Sequence, residues 1–268
     1  MDEFQIGSFQ QLGFAGPFDL VDAAAAEALT RGLSRAKSRM FFRHRVLSRV
    51  PLMNTRFPIS RWGTAKWQKG IHAVSGEVYR LGADRRIVGR VAQILGPDVL
   101  LSGSMVINQR PGAFHSWHVD AEQMEWNGVT AWLALENVSA KNTLRVVAGS
   151  QLIGLPPPPY DEVGLNDDLV LAEAQRHDPD CRVLSLPAGP GQFYIFARGL
   201  WHASGNHSTR TRYAIVLQYC SPDVPVRWPV QSLMHKTKLP VKAAYEIPCC
   251  LVSGKDRFQK NLLVSPPL

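Results

Sequence analysis

The sequence predicts a mainly β protein with flanking helices, an α+β chain whose strands form an antiparallel sandwich or barrel. Three observations carry this. The hydrophobic period changes from helical to strand-like after Gly96-Pro97. The apolar runs that follow are short and separated by Gly and Pro turns. No helices alternate with these strands, as a parallel α/β sheet would require.

Ahead of the β region, residues 19–33 read as a helix: Asp19 can cap it, Ala23 to Ala26 favour it, and Gly32 can end it. Residues 40–75 are punctuated by Pro51, Pro58, Gly63 and Gly70 and read as irregular, with Phe57, Trp62 and Trp67 as anchors on the core. A second helix fits residues 84–94, stopped by Gly96-Pro97. The predicted strands are 99–101, 104–108, 114–118, 129–135, 144–147, 182–186, 192–196 and 213–219, with turns at 110–112 and 148–151. Residues 152–180 open on a polyproline run, Pro156 to Pro159, and read as a long loop. Such a loop is either an active-site rim or a surface excursion. The tail after Pro222 has no readable pattern. The expected organisation is one domain over 1–268, made of a helical and basic segment 1–77, a β core 78–220 with the 152–180 insertion, and an extension 221–268.

Composition narrows the function. The chain has 268 residues, 45% of them hydrophobic, enough for a sizeable core. No apolar stretch is long enough for a membrane span, and the N-terminal residues lack a signal pattern, so a cytoplasmic protein is expected. Cys181, Cys220, Cys249 and Cys250 fall at no metal-site or disulfide-framework spacing and read as reduced, buried thiols. Net charge is +8, and the stretch between Glu27 and Glu77 has no acidic residue while carrying Arg31, Arg35, Lys37, Arg39 and further basic residues. It reads either as a solvated basic face or as a surface for an anionic small molecule, a coenzyme A or carrier thioester, or nucleic acid. Nucleic acid is the weakest of these, because no aromatic platform is interleaved.

The chemistry-bearing residues are His118, Asp120 and His202. In an extended strand, positions i and i+2 share a face, so His118 and Asp120 can reach one ion while Val119 packs the other way. A distant third His completes two imidazoles and one carboxylate, the set that non-haem iron(II) oxygenases use to leave open positions for a cosubstrate and dioxygen. Ten residues past His202, Arg212 opens the apolar run 213–217, and a guanidinium there can clamp a dicarboxylate. His115, three residues before His118, should face away, and His44, His72, His177, His207 and His235 read as surface residues. A zinc hydrolase could use the same ligands but leaves Arg212 unexplained. A non-catalytic β-sandwich binding module is the other alternative. No Gly-x-Ser-x-Gly elbow, His-Glu-x-x-His helix or glycine-rich phosphate loop is present.

Taken together, 116–120, 128–138, 144–151, 186–196, 202–206 and 212–215 resemble the phytanoyl-CoA dioxygenase family. The resemblance implies a double-stranded β-helix (jelly-roll, cupin-like) core and an Fe(II)- and 2-oxoglutarate-dependent oxygenase consuming O2 and releasing succinate and carbon dioxide. It implies that His118, Asp120 and His202 hold the iron, that Arg212 pairs with the distal carboxylate of 2-oxoglutarate with Ser204 assisting, and that Trp132 lines the cosubstrate pocket or else fills the core. The segment from His202 to Arg212 is one residue short of the family pattern, which makes Arg210 a competitor for the clamp. Asn142-Thr143 replaces a more usual Asn-Gly, which should alter only a turn. Halogenating members lack the carboxylate that Asp120 keeps, so halogenation is not expected. Hydroxylation of a small-molecule C–H bond in biosynthetic tailoring is the expected reaction, with desaturation, cyclisation or epimerisation open to the same ligands. Residues 40–75, 121–127 and 152–180 would choose the substrate.

Overall fold

The computed structural model describes residues 1–47, 70–120, 125–158, 166–228 and 245–267. Phe57, Trp62, Trp67, His235, residues 121–124 and much of the basic stretch lie outside them, as does the side chain of His44. The chain groups into two compact units. Unit 1 is Met1–Thr30, Ile107–Glu122 and Val129–Ile215; unit 2 is Arg31–Val106, Gln123–Gly128 and Val216–Leu268. Among the described residues no helix is long and apolar enough to cross a membrane.

Unit 1 begins with a helix, α1 (Glu3–Leu12), that the sequence reading missed. Its signal is a capping box: Asp2 accepts from the Gln5 backbone N–H while the Gln5 side chain accepts from the Asp2 N–H. Gly13, at φ 82°, ends it in the left-handed conformation. The chain then enters β1 (Phe14–Asp19), so Asp19 closes a strand rather than capping a helix. The next helix, α2 (Ala23–Leu47), starts later, at Asp22, whose carboxylate accepts from the Ala25 N–H at 2.8 Å. β1 wins residues 14–19 because it pairs antiparallel with β7 (Gln192–Ala197), burying Phe14, Ala15 and Phe18.

β7 pairs in turn with β4 (Gly128–Glu136), and β9 (Arg212–Cys220) follows β4 in the same sheet. A second, four-stranded antiparallel sheet has the order β3-β8-β5-β6, built from β3 (Phe114–His118), β8 (Trp201–Gly205), β5 (Leu144–Ala148) and β6 (Arg182–Leu186). Two antiparallel sheets with flanking helices are the expected jelly-roll architecture. β8 had not been expected, because its sequence Trp-His-Ala-Ser-Gly is too short and too polar to show a strand period.

The segment 152–180 is only partly a loop. It contains α5 (Asp167–His177), capped by Asn166, whose side chain accepts from the Leu169 N–H. Acidic residues in its first turn and Arg176 and His177 in its last complement the helix dipole. Val170 and Ala174 pack with Trp117, Val147, Trp201 and Ala203. Along their strands these alternate with His118, Val146, His202 and Ser204. The helix therefore covers the outer face of the four-stranded sheet, and Arg145 on β5 ties it down through an ion pair with Asp167.

Unit 2 holds the later part of α2, then α3 (Gly76–Gly82) and α4 (Arg85–Leu95), the latter capped by Asp84 and ended at Gly96 as expected. Gly32 does not stop α2. A Cβ there would lie 1.6 Å from the Glu77 carboxylate, so glycine makes room for a close neighbour. The two strands expected at 99–101 and 104–108 are one, β2 (Val99–Gln109), which pairs with β12 (Cys250–Ser253) in the unpatterned tail. β10 (Arg227–Trp228) and β11 (Tyr245–Glu246) form a short ribbon. All four cysteines are free and buried.

His72 corrects another expectation: it is fully buried. Its Nε2 donates to the Pro248 carbonyl at 3.1 Å, Ser104 Oγ contacts Nδ1 at 3.1 Å, and that same oxygen accepts the His72 backbone N–H. This network satisfies a neutral ring, and burial pushes the imidazole down to about 4 from 6.5. Above the unfolded value the ring is neutral in both states. As pH falls from 6.5 towards 4, the unfolded chain takes up a proton that the folded chain refuses, so about 3 kcal/mol of stability is lost in that window. Denaturant midpoints at about pH 7.5 and about pH 4.5 should converge in His72→Gln relative to the parent. Gly128 provides a second check. A Cβ there would meet the Tyr219 carbonyl at 1.9 Å, so Gly128→Ala should lower stability by about 1–3 kcal/mol in the same assay.

Candidate metal centre

β3 and β8 bring the candidate ligands together. In their antiparallel pairing His118 stands directly opposite His202. Asp120 follows in the turn after β3, on the same side as His118. One ligand atom from each of the three residues lies within 4.8 Å of the others, so the trio could hold a metal ion. Val119 packs on the outer cluster, as its alternation predicts.

Each candidate ligand is oriented by a neighbour. His118 Nδ1 donates to the Ser116 carbonyl and His202 Nδ1 to the Leu200 carbonyl, both at 2.8 Å. A carbonyl only accepts, so both rings carry a proton on Nδ1, which makes Nε2 the nitrogen that could face an ion. The Thr130 hydroxyl, from β4, donates to Asp120 Oδ2. Oδ1 is turned towards His202 Nε2, 3.9 Å away. His202 is buried, while His118 is half-exposed.

His115 does not face away. Between His115 and His118 the β3–β8 register shifts: three residue steps on β3 oppose two on β8. Such a bulge brings residues three apart onto one face. The His115 ring lies 4.0 Å from that of His118, which lies 4.1 Å from His202, which lies 4.7 Å from buried Phe196. The four rings form a column from core to solvent, with His115 exposed at its end. The signal for the bulge is absent from the sequence, since neither residue between the histidines is a glycine.

Beside the trio lies a buried cation. Arg212 is 1% exposed, and burial draws its guanidinium down to about 10, still charged at neutral pH. Nη1 donates to the Asn142 carbonyl at 2.6 Å and Nη2 to Ser204 Oγ at 3.3 Å, while Nε has no partner among the described residues. Its Cζ lies 5.7 Å from the Trp132 ring, whose buried Nε1 is also unpartnered among the described residues. No carboxylate among the described residues pairs with Arg212. Arg210, the competitor, is exposed on the surface 4.0 Å from Glu136. Gln109, which the sequence reading missed, supports the same corner: its Nε2 donates to the Ser204 carbonyl at 3.1 Å. Asn142 does more than turn the chain. Its side chain joins Asn137, Asn206 and Ser208 in a hydrogen-bonded knot while its carbonyl receives Arg212.

The chain's likeness to known proteins lies in this same architecture. No curated protein matches it. Among solved structures, a nickel complex of the non-heme monooxygenase ThoJ is 21% identical, with 97% of this chain and 88% of that one covered at a TM-score of 0.62. CytC3 with Fe(II) and alpha-ketoglutarate is 16% identical, with 98% and 93% covered at 0.66. The alpha-ketoglutarate-dependent epimerase SnoN from nogalamycin biosynthesis is 15% identical, with 98% and 95% covered at 0.58. At these identities the likeness is one of fold. The family profile for phytanoyl-CoA dioxygenase (PhyH) matches residues 9–214, well over half of the chain, and the chain belongs to that family.

Proposed function

We propose that the chain is an Fe(II)- and 2-oxoglutarate-dependent oxygenase that hydroxylates an unactivated C–H bond of a small molecule. The observation that carries this is the pairing of two features in one site: a His-Asp-His trio that holds a metal from one side, and a buried arginine lacking a counter-ion among the described residues. Burying an uncompensated charge costs several kcal/mol, and a dicarboxylate seated on it removes that cost. A zinc hydrolase leaves this cation unexplained.

In this reading His118 Nε2, Asp120 Oδ1 and His202 Nε2 hold the iron. Arg212 and Ser204 receive the distal carboxylate of 2-oxoglutarate, and Trp132 walls the cosubstrate pocket. Iron(II) with 2-oxoglutarate supplies dioxygen activation coupled to decarboxylation, yielding succinate, carbon dioxide and one oxygen atom for the substrate. The protein's part is to fix the ligand face, orient the cosubstrate and set the substrate's C–H bond beside the open side. SnoN shares the fold and is described as an epimerase, so desaturation, cyclisation or epimerisation remains the second reading. The +8 charge favours an anionic or carrier-linked small molecule, and by analogy with the family we place the reaction in cytoplasmic biosynthetic tailoring.

Anaerobic addition of iron(II) and then 2-oxoglutarate to the apo-protein should produce the weak visible charge-transfer band of the chelate. Arg212→Gln should weaken 2-oxoglutarate binding by about 100-fold, since it removes a desolvated, charge-assisted contact, and should leave iron(II) affinity close to the parent's. His118→Ala, Asp120→Ala and His202→Ala should each abolish tight iron(II) binding in calorimetry and stop succinate formation. Iron-dependent turnover surviving in all three would refute the ligand assignment.

A further inference from the structure

Ser204 lies on β8 two residues beyond His202 and so shares its face of the strand. A serine hydroxyl has two lone pairs that accept and one proton to give. Both lone pairs of Ser204 are engaged: Arg212 Nη2 donates to Oγ at 3.3 Å, and Gln109 Nε2 donates to it at 3.3 Å. The direction of the second bond is fixed. The same Nε2 lies 3.1 Å from the Ser204 carbonyl, which only accepts, so nitrogen and not oxygen must face the serine. This orientation leaves Gln109 Oε1 buried and without a partner among the described residues. The glutamine is also held from its backbone, whose carbonyl accepts from Asn206 Nδ2 at 2.7 Å. Gln109, Ser204 and Arg212 are each more than nine-tenths buried.

With two donors on its oxygen, the Ser204 hydroxyl has only its proton left to use, and that proton meets no acceptor among the described residues. We propose that Gln109 is a positioning residue that sets the polarity of Ser204, fixing its hydroxyl as a donor to the anion seated on Arg212. This rests on the oxygenase reading above, in which that anion is the distal carboxylate of 2-oxoglutarate. An ionised carboxylate only accepts, so Ser204 and Arg212 together match it. Without the Gln109 amide, one lone pair of Oγ falls open. The hydroxyl then turns among several directions, and a donor already aimed at the anion is lost.

The test is a double-mutant cycle on the iron(II)-loaded full chain without oxygen. Parent, Gln109→Met, Ser204→Ala and the double variant are titrated with 2-oxoglutarate, followed by the visible band. Circular dichroism and iron(II) affinity report whether each variant is intact, and Gln109→Leu serves if Met disturbs folding. Gln109→Met should weaken 2-oxoglutarate binding about tenfold when Ser204 is present and by less than about twofold when it is Ala. 2-Oxovalerate, which has a methyl in place of the distal carboxylate, should bind parent and Gln109→Met alike. Equal losses in both backgrounds would overturn the inference, because the glutamine would then act by packing or on the anion directly. No loss in either background would overturn it too, as would 2-oxovalerate weakening in step with 2-oxoglutarate. A parent that binds no 2-oxoglutarate, or binds it equally well after Arg212→Gln, overturns the oxygenase reading itself and this inference with it.

Discussion

The pairing of β3 with β8 is the constraint on which the site depends. It sets His118 opposite His202, and both rings then reach back to a carbonyl two residues earlier. The same register puts Trp117, Trp201 and Ala203 on the other face, where α5 buries them. One set of backbone hydrogen bonds thus serves two purposes. A slip of one residue would exchange the faces, sending the histidines into an apolar cluster and the tryptophans towards the candidate metal site. The apolar packing under α5 makes that slip costly, so the outer face enforces the geometry of the inner one.

A second layer of polar contacts fixes the arginine. Asn206 bridges the Gln109 and Arg210 carbonyls, and its Oδ1 accepts from Asn142 and Ser208. Asn142 then presents its carbonyl to Arg212. Asn137 adopts a left-handed backbone, φ 56°, which bends the chain out of β4 into this knot. These are short polar residues in loops, yet Asn142 and Asn206 are buried. Their hydrogen bonds are mutual, so the arginine is held by a rigid corner rather than by a flexible loop.

Much of this was legible in the sequence, for identifiable reasons. His118, Asp120, His202 and Arg212 stand in short motifs whose spacing maps directly onto strand geometry. β4, β5, β6, β7 and β9 are bounded as expected to within a residue, because their apolar content is high and Gly or Pro turns flank them. The failures share a physical cause. β1 and β8 exist because of partners distant in sequence, and their own composition gives little strand signal. The bulge in β3 is a property of pairing, so a rule of strict alternation misplaced His115. His72 looked like a loop residue because what buries it, Ser104 and the Pro248 carbonyl, comes from other parts of the chain. Thr130 and Gln109 were invisible as site residues for the same reason.

The buried charge of Arg212 also bears on how long the protein persists. On the proposed reading, the 2-oxoglutarate carboxylate that settles on that guanidinium binds the folded chain and finds no comparable site in the unfolded one. By mass action, folded molecules are then favoured in proportion to the anion's saturation, by about 2.7 kcal/mol when its concentration is a hundred times its dissociation constant. Proteases act on opened chains, so on the same reading a saturating cosubstrate would slow proteolysis of the protein. On the proposed reading, where that anion is 2-oxoglutarate, resistance to unfolding follows the cosubstrate's concentration through a single desolvated side chain.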